Sequence, residues 1–216
     1  LKEMKEKRIE FLTQYQNATY AERYEHLVRK AEDAEQNLTP GFDGFAAAVA
    51  RYAFKLMSYK DEYEVARLYT DGTFLGQLNE QFEGDFKIEF NLAPPLISKR
   101  DSSTGHLKKQ IYGPWLMHGF RLLSKLKGLR GTAWDIFGKT AERKQERLLI
   151  EYYFAVIEMV CLNLSRDNHS TAVELASIPE TIRGYGHVKE AAITESKAHE
   201  KQALAIFNNP ELAKTA

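Results

Sequence analysis

The sequence predicts a mainly α fold, a multi-helix bundle-like domain with a small β element around residues 86–92. Three observations predict it. Apolar residues recur at helical spacing through most of the chain, and helix-capping and helix-breaking residues fall between those stretches. Strict alternation of apolar and polar residues is confined to Phe86, Ile88, Phe90 and Leu92 against Lys87, Glu89 and Asn91. With 216 residues and 44% hydrophobic content, the chain is long enough to bury a core without disulfide or metal staples.

Lys2 to Gln16 forms an amphipathic pattern on Ile9, Leu12 and Tyr15. Thr19-x-x-Glu22 reads as a capping box that opens a second helix, which runs to about Asn37 before Thr39-Pro40-Gly41 breaks it. Phe45, Val49, Tyr52 and Leu56 resume the helical period behind the small residues Ala46 to Ala48. Asp61 to Tyr69 is a further helix. Gly72, Gly76 and Gly84 then loosen the chain ahead of the strand, which Pro94-Pro95 stops. One strand leaves its backbone groups unpaired, so it needs a partner: Leu107 to Ile111 across a hairpin, another domain, or another subunit.

Ser98 to Lys109 is polar, small and basic, the composition of a loop. Pro114 suits the first turn of a helix with Trp115, Gly119, Leu122, Leu123 and Leu126 on one face, ended by Gly128 and Gly131. Thr132 is placed to cap a short helix through Phe137, and Thr140 begins the longest one, reaching about Leu164. The second half of that helix (Leu148, Leu149, Tyr152, Tyr153, Val156, Ile157, Val160, Cys161) is apolar over most of its circumference. This is the pattern of a central helix surrounded by others. Ser170 to Ser177, a Pro179 break, the Gly184-Tyr185-Gly186 turn and a polar helix from about Val188 to Phe207 complete the chain. The elements read as one domain over 1–216, with 1–58 as a helical subregion that could stand apart.

Composition excludes several functions. Thirty Lys and Arg balance thirty Asp and Glu, without the basic excess of nucleic-acid or membrane-surface binders. No 18-residue apolar run and no signal-peptide stretch occurs, so a cytoplasmic location is expected, with no nucleic acid and no membrane as partner. Leucine at position 1 suggests a segment of a longer or processed polypeptide. One cysteine cannot build a disulfide framework, an iron–sulfur cluster or structural zinc site.

The chemical motifs have bland readings. The six histidines never form an i, i+4 pair, so zincin and di-iron signatures are missing and no metal site is expected. His118 reads as a hydrogen-bonded core or rim residue. Gly138-Lys139-Thr140 imitates the end of a phosphate-binding loop, but Ala133 stands where the first glycine is required. Asn17-Ala18-Thr19 is better read as a turn and cap than as a glycosylation site. Cys161 sits in an apolar helix, where a thiolate is costly. Two basic clusters remain, Lys99, Arg100, His106, Lys108 and Lys109 on the loop, and Lys125, Lys127 and Arg130 near a helix start. Either suits an anion or an acidic partner, and a solvated loop is the simpler reading.

Three long runs carry a family resemblance: YTDGTFLGQLNEQFEGDFKIEFNLAPPLISKRD (Tyr69 to Asp101), KKQIYGPW through GLRGTAWDIFGKTAERK (Lys108 to Lys144), and IPETIRGYGHVKE (Ile178 to Glu190). They resemble the C-terminal domain of large fused indolepyruvate ferredoxin oxidoreductases, of the 2-oxoacid:ferredoxin oxidoreductase superfamily, over Tyr59 to Phe207. The resemblance implies a parent enzyme that decarboxylates an aryl 2-oxoacid on thiamine diphosphate with Mg, passes electrons through iron–sulfur clusters to ferredoxin, and forms an acyl-CoA. It supplies no catalytic residue here, because the Gly-Asp-Gly thiamine motif and the cluster cysteines are missing. The expected role is therefore a non-catalytic accessory or assembly domain. Its partners would be the catalytic domains of the parent chain, ferredoxin, or a second protomer in a homo-oligomer. The alternative is a domain that binds CoA phosphates or ferredoxin through Lys99, Arg100, Lys108, Lys109, Arg130, Arg183, His187 and Lys189.

Overall fold

The computed structural model describes residues 1–84, 86–92, 108–184 and 186–214. The stretch carrying Pro94-Pro95, Lys99, Arg100, His106 and Leu107 lies outside them. Nine α-helices appear among the described residues: α1 (Lys2–Tyr15), α2 (Ala18–Leu38), α3 (Phe45–Met57), α4 (Glu62–Thr70), α5 (Thr73–Gln81), α6 (Leu116–Lys125), α7 (Ala141–Asn163), α8 (His169–Ser177) and α9 (His187–Asn208). The strands β1 (Phe90–Leu92) and β2 (Gln110–Tyr112) pair antiparallel, Asn91 opposite Ile111. The mainly α expectation holds, and the strand finds its partner in the next described segment of its own chain.

The chain divides into two compact units, one of residues 1–59 with 141–216 and one of residues 60–140. Residues 1–58 do not stand apart, because α2 and α3 pack against α7, and α3 also packs against α8. The shared core contains Leu12, Tyr24, Val28, Phe45, Val49, Ile157, Val160 and Leu175. Tyrosines enter it with their hydroxyls satisfied: Tyr15 donates to the Tyr59 carbonyl at 2.8 Å, Tyr20 to Met57 at 2.9 Å, Tyr24 to Ala50 at 3.1 Å and Tyr153 to Ala176 at 2.8 Å. Such pairing lets each ring be buried without an orphaned hydroxyl.

Local chemistry adjusts several expected boundaries. Asn17, not Thr19, caps α2: its side chain accepts the Tyr20 N–H at 2.9 Å. The glycine-bearing stretch after α4 folds as α5, entered through Gly72 at φ +94. The short helix expected from Thr132 is absent. There the chain makes turns and a 3-10 turn over Phe137–Lys139, while the Thr132 hydroxyl donates to the Leu129 carbonyl and accepts the Trp134 N–H.

The unit of residues 60–140 has its own small core of Ala66, Phe90, Met117 and Phe120. Tyr69 of α4 stacks on Phe120 of α6 at 5.3 Å and meets Phe90 of β1 edge-on at 5.2 Å. The stripe that the sequence places on one face of α6 is split: Trp115, Leu122 and Leu126 are exposed, while Leu123 packs against the small core beside Met117 and Phe120. His118 is exposed as well.

Candidate functional site

The most constructed surface feature is the loop of residues 129–139, in the unit of residues 60–140. Its backbone is tied down from beneath by buried charge. Asp61, at the N-terminus of α4, accepts the Glu64 N–H at 2.8 Å and so caps the helix. The same carboxylate receives Arg130 Nε at 2.6 Å and Nη2 at 2.8 Å, a two-point pair. Arg130 is 4% exposed and Asp61 3%. Five residues on, Asp135 accepts from the Gly131 N–H and the Gly138 N–H, both at 2.8 Å, and from the Tyr63 hydroxyl at 3.2 Å. Tyr63 completes the ring of contacts, lying 5.6 Å from the Arg130 guanidinium and 5.4 Å, edge-on, from Phe137. Burial, then the charge of Asp135, pushes the Tyr63 phenol well above its ordinary pKa, so it stays a hydrogen-bond donor.

The consequence is a loop whose Arg130 and Asp135 side chains lie inside while Trp134 and Ile136 face out, with Phe137 half-buried against Tyr63 and Lys139 exposed. Trp134 is 79% exposed and Ile136 53%, on either side of the buried Asp135. The anchors on both sides, Arg130 and Gly138, remove the freedom that an eleven-residue loop would otherwise lose on binding. A fixed, exposed tryptophan beside an exposed isoleucine is the composition of an interaction hot spot. Trp115, Leu122 and Leu126 are further exposed apolar residues of this unit.

The sequence-predicted anion site divides differently. Arg130 is committed internally to Asp61 and does not face solvent. Lys189 pairs with Glu146 at 2.6 Å, where Arg143 joins at 2.8 Å. Arg183 is exposed, 3.4 Å from Glu180. Lys108 and Lys109 are exposed just before β2. Lys99 and Arg100 lie outside the described residues, as does the side chain of His187. Of the other two members of the second basic cluster, Lys125 is exposed, and Lys127 has its pKa lowered by burial, then by the nearby Arg67 and Arg130. Burial, with added repulsion from those two guanidiniums, makes it a poorer cation than its sequence context suggests.

The donor set does not fit the redox groups of the implied parent. The single cysteine, Cys161, is half-buried on α7, and burial pushes its thiol up to about 11, whereas cluster binding requires several thiolates. Among the described residues, no group of three or more His, Cys, Asp or Glu is placed to hold a metal ion. No described helix is long and apolar enough to cross a membrane.

Sequence reasoning missed Trp134, Asp135 and Asp61. The available signal was the juxtaposition Trp134-Asp135-Ile136, which a helical reading of 132–137 absorbs as an ordinary polar–apolar mix. Among known proteins, no curated protein and no solved structure matches the chain. A family model does, over residues 1–202, which takes in the whole loop unit and most of the larger one. The chain belongs to DUF6537, a family of unknown function.

Proposed function

We propose that this chain is a non-catalytic accessory and assembly domain of a cytoplasmic indolepyruvate (2-oxoacid):ferredoxin oxidoreductase, one that depends on thiamine diphosphate and iron–sulfur clusters. In this reading the loop of residues 129–139 docks on the catalytic domains of that enzyme. One observation carries the docking role: Trp134 stands 79% exposed on a backbone that Arg130–Asp61 and Asp135 hold in place. The enzyme class rests on the resemblance of Tyr69–Asp101, Lys108–Lys144 and Ile178–Glu190, the second of which contains the docking loop. In this role the domain supplies surface rather than reagents. It holds neighbouring domains in register while thiamine and the clusters carry out the chemistry elsewhere.

The test is binding between this chain and the catalytic domains, measured by titration calorimetry, together with ferredoxin-linked turnover of an aryl 2-oxoacid. Trp134→Ala should weaken association by roughly 30-fold, the effect of losing a hot-spot tryptophan of about 2 kcal/mol. Its thermal stability should stay near wild type, because the side chain is mostly in water. No association of the wild-type chain, or turnover by the isolated chain, would reject the proposal.

A further inference from the structure

The longest helix carries a second, independent surface. Within α7, Gln145, Leu148, Tyr152, Ala155, Met159 and Leu162 follow one another at alternating steps of three and four residues, the repeat of a coiled-coil seam. In the folded chain most of this seam is turned away from the core, and Met159, half-buried, is its one member that also touches the core. Leu148 is 68% exposed, Tyr152 49% and Leu162 83%, while Ile150, Tyr153, Val156, Ile157 and Val160 face inward. Beside its first half runs an open groove of about 620 Å³ between α7 and α9, walled by Leu148, Leu149 and Tyr152 on one side and Ile193 and Leu204 on the other. Tyr152 and Glu200 both line it. The result is one apolar strip, bounded by charge, on a helix whose other face is already packed against α2 and α3.

We infer that a second copy of this chain covers that strip, α7 lying antiparallel against α7 about a two-fold axis. The charges along its edge select this occupant. Arg23 pairs with Glu151 at 2.7 Å, and Lys30 with Glu158 at 2.6 Å. Residue numbers advance by seven on both helices, so the two ion pairs repeat at the spacing of the seam. Antiparallel pairing sets Tyr152 of one copy beside Ala155 of the other, and Leu148 beside Met159. The same register brings Glu151 of one copy to Glu158 of the second. Each glutamate arrives with its cation, so the edge becomes a ring of two acids and two bases with no net charge, and the axis generates it twice. The chain as a whole is also neutral, 30 basic against 30 acidic residues, so two copies approach without long-range repulsion.

Size agrees. From Gln145 to Leu162 the seam rises about 26 Å, and α7 with the facing edges of α2 and α9 is about 20 Å wide, or roughly 500 Å² from each copy. That is at the low end for a specific dimer, consistent with dissociation in the micromolar range. None of this depends on the oxidoreductase reading or on the docking loop.

Sedimentation velocity of the full chain between about 1 and 100 μM should show twice the chain mass at the upper concentrations. Leu148→Asp and Leu162→Asp, both at exposed positions, should each give a monomer throughout that range with an unchanged thermal midpoint. In a Cys161→Ala background, chains carrying Leu148→Cys mixed with chains carrying Met159→Cys should form a disulfide heterodimer, and Leu162→Cys with Met159→Cys should not. A wild-type monomer at 100 μM, or a dimer that survives both aspartates, overturns the assignment. So does a monomer whose aspartate variants lose binding to the catalytic domains, because the occupant is then that partner. Trp134→Ala should leave the dimer intact, which separates this test from that of the docking loop.

Discussion

Asp61 is the residue on which the loop of residues 129–139 most depends, and its removal has two separable costs. As the N-cap of α4 it satisfies the Glu64 N–H, worth about 1 kcal/mol. As the partner of Arg130 it neutralises a guanidinium that is 4% exposed, and an orphaned buried charge costs about 3–5 kcal/mol. Asp61→Ala should therefore destabilise the unit of residues 60–140 by about 4–6 kcal/mol. A body of that size is stable by only about 4–12 kcal/mol, so the variant should come near to unfolding it.

Two companion variants divide the cost. Asp61→Ser keeps a capping oxygen and removes the charge, so it should retain most of the penalty. Asp61→Ala/Arg130→Met removes both ions, leaves an apolar chain where the guanidinium lay, and should recover all but about 1–2 kcal/mol. The assay is urea denaturation with amide exchange read over residues 62–70, because the chain has two units and a single global transition cannot be assumed. A penalty below about 1 kcal/mol for Asp61→Ala, or a double variant no more stable than the single, would show that the buried pair does not hold the loop.

Three further outcomes test other parts of the fold. Glu35 accepts the Phe45 and Ala46 N–H groups at 2.7 and 3.1 Å and meets His169 Nε2 at 2.9 Å, so it joins the start of α3 to α8. Glu35→Ala should lower stability by about 2–4 kcal/mol in a thermal melt, and a loss under 1 kcal/mol would contradict that role. Burial raises the Glu200 pKa above its usual range, with opposing hydrogen bonding from Tyr152. The fold then binds this proton more tightly than the unfolded chain. Its increment of stability is present below about pH 4 and is lost as pH rises through the raised value. Glu200→Gln should remove that decline, and parallel urea curves for the two proteins from pH 4 to 7 would refute it. Cys161, with a thiol pushed up to about 11, should react with iodoacetamide at pH 8 on the order of 100-fold more slowly in the native chain than in urea. Equal rates would place the thiol in open solvent.

How much of this was legible in the sequence depended on whether a pattern had one structural cause or two. Helical period located α1, α2, α3, α4 and α7 to within a residue or two, since Leu12, Tyr15, Val49 and Ile157 each have one face to bury. Capping was less determinate. Asn17 and Thr19 are both good caps, and the choice falls to the side chain that reaches the Tyr20 N–H. The stretch before β1 was misread because glycine's cost in a helix is small enough for tertiary packing to override, and Gly76 sits inside α5. Arg130 and Lys189 carried the expected charge but not its availability, because Asp61 and Glu146 come to them from distant positions in the chain.

The same ambiguity is sharpest in the two helices with apolar residues facing outward. In α6 the sequence offers two candidate faces, Trp115, Gly119, Leu122, Leu123 and Leu126 or Met117 and Phe120, and Leu123 of the first turns out to pack beside the second. The second is buried because Phe120 stacks on Tyr69 and meets Phe90. In α7 the circumference is apolar because two faces are apolar for different reasons. Ile150, Tyr153, Ile157 and Val160 meet the chain's own core, while Leu148, Tyr152 and Leu162 do not. A hydrophobic residue in the sequence does not report which face is covered, because much of a folded protein's surface is itself apolar. Only the folded chain separates the two faces. Having done so, it leaves exposed apolar residues at the two places where contacts are proposed: α7 for a second copy, and Trp134 for the catalytic domains.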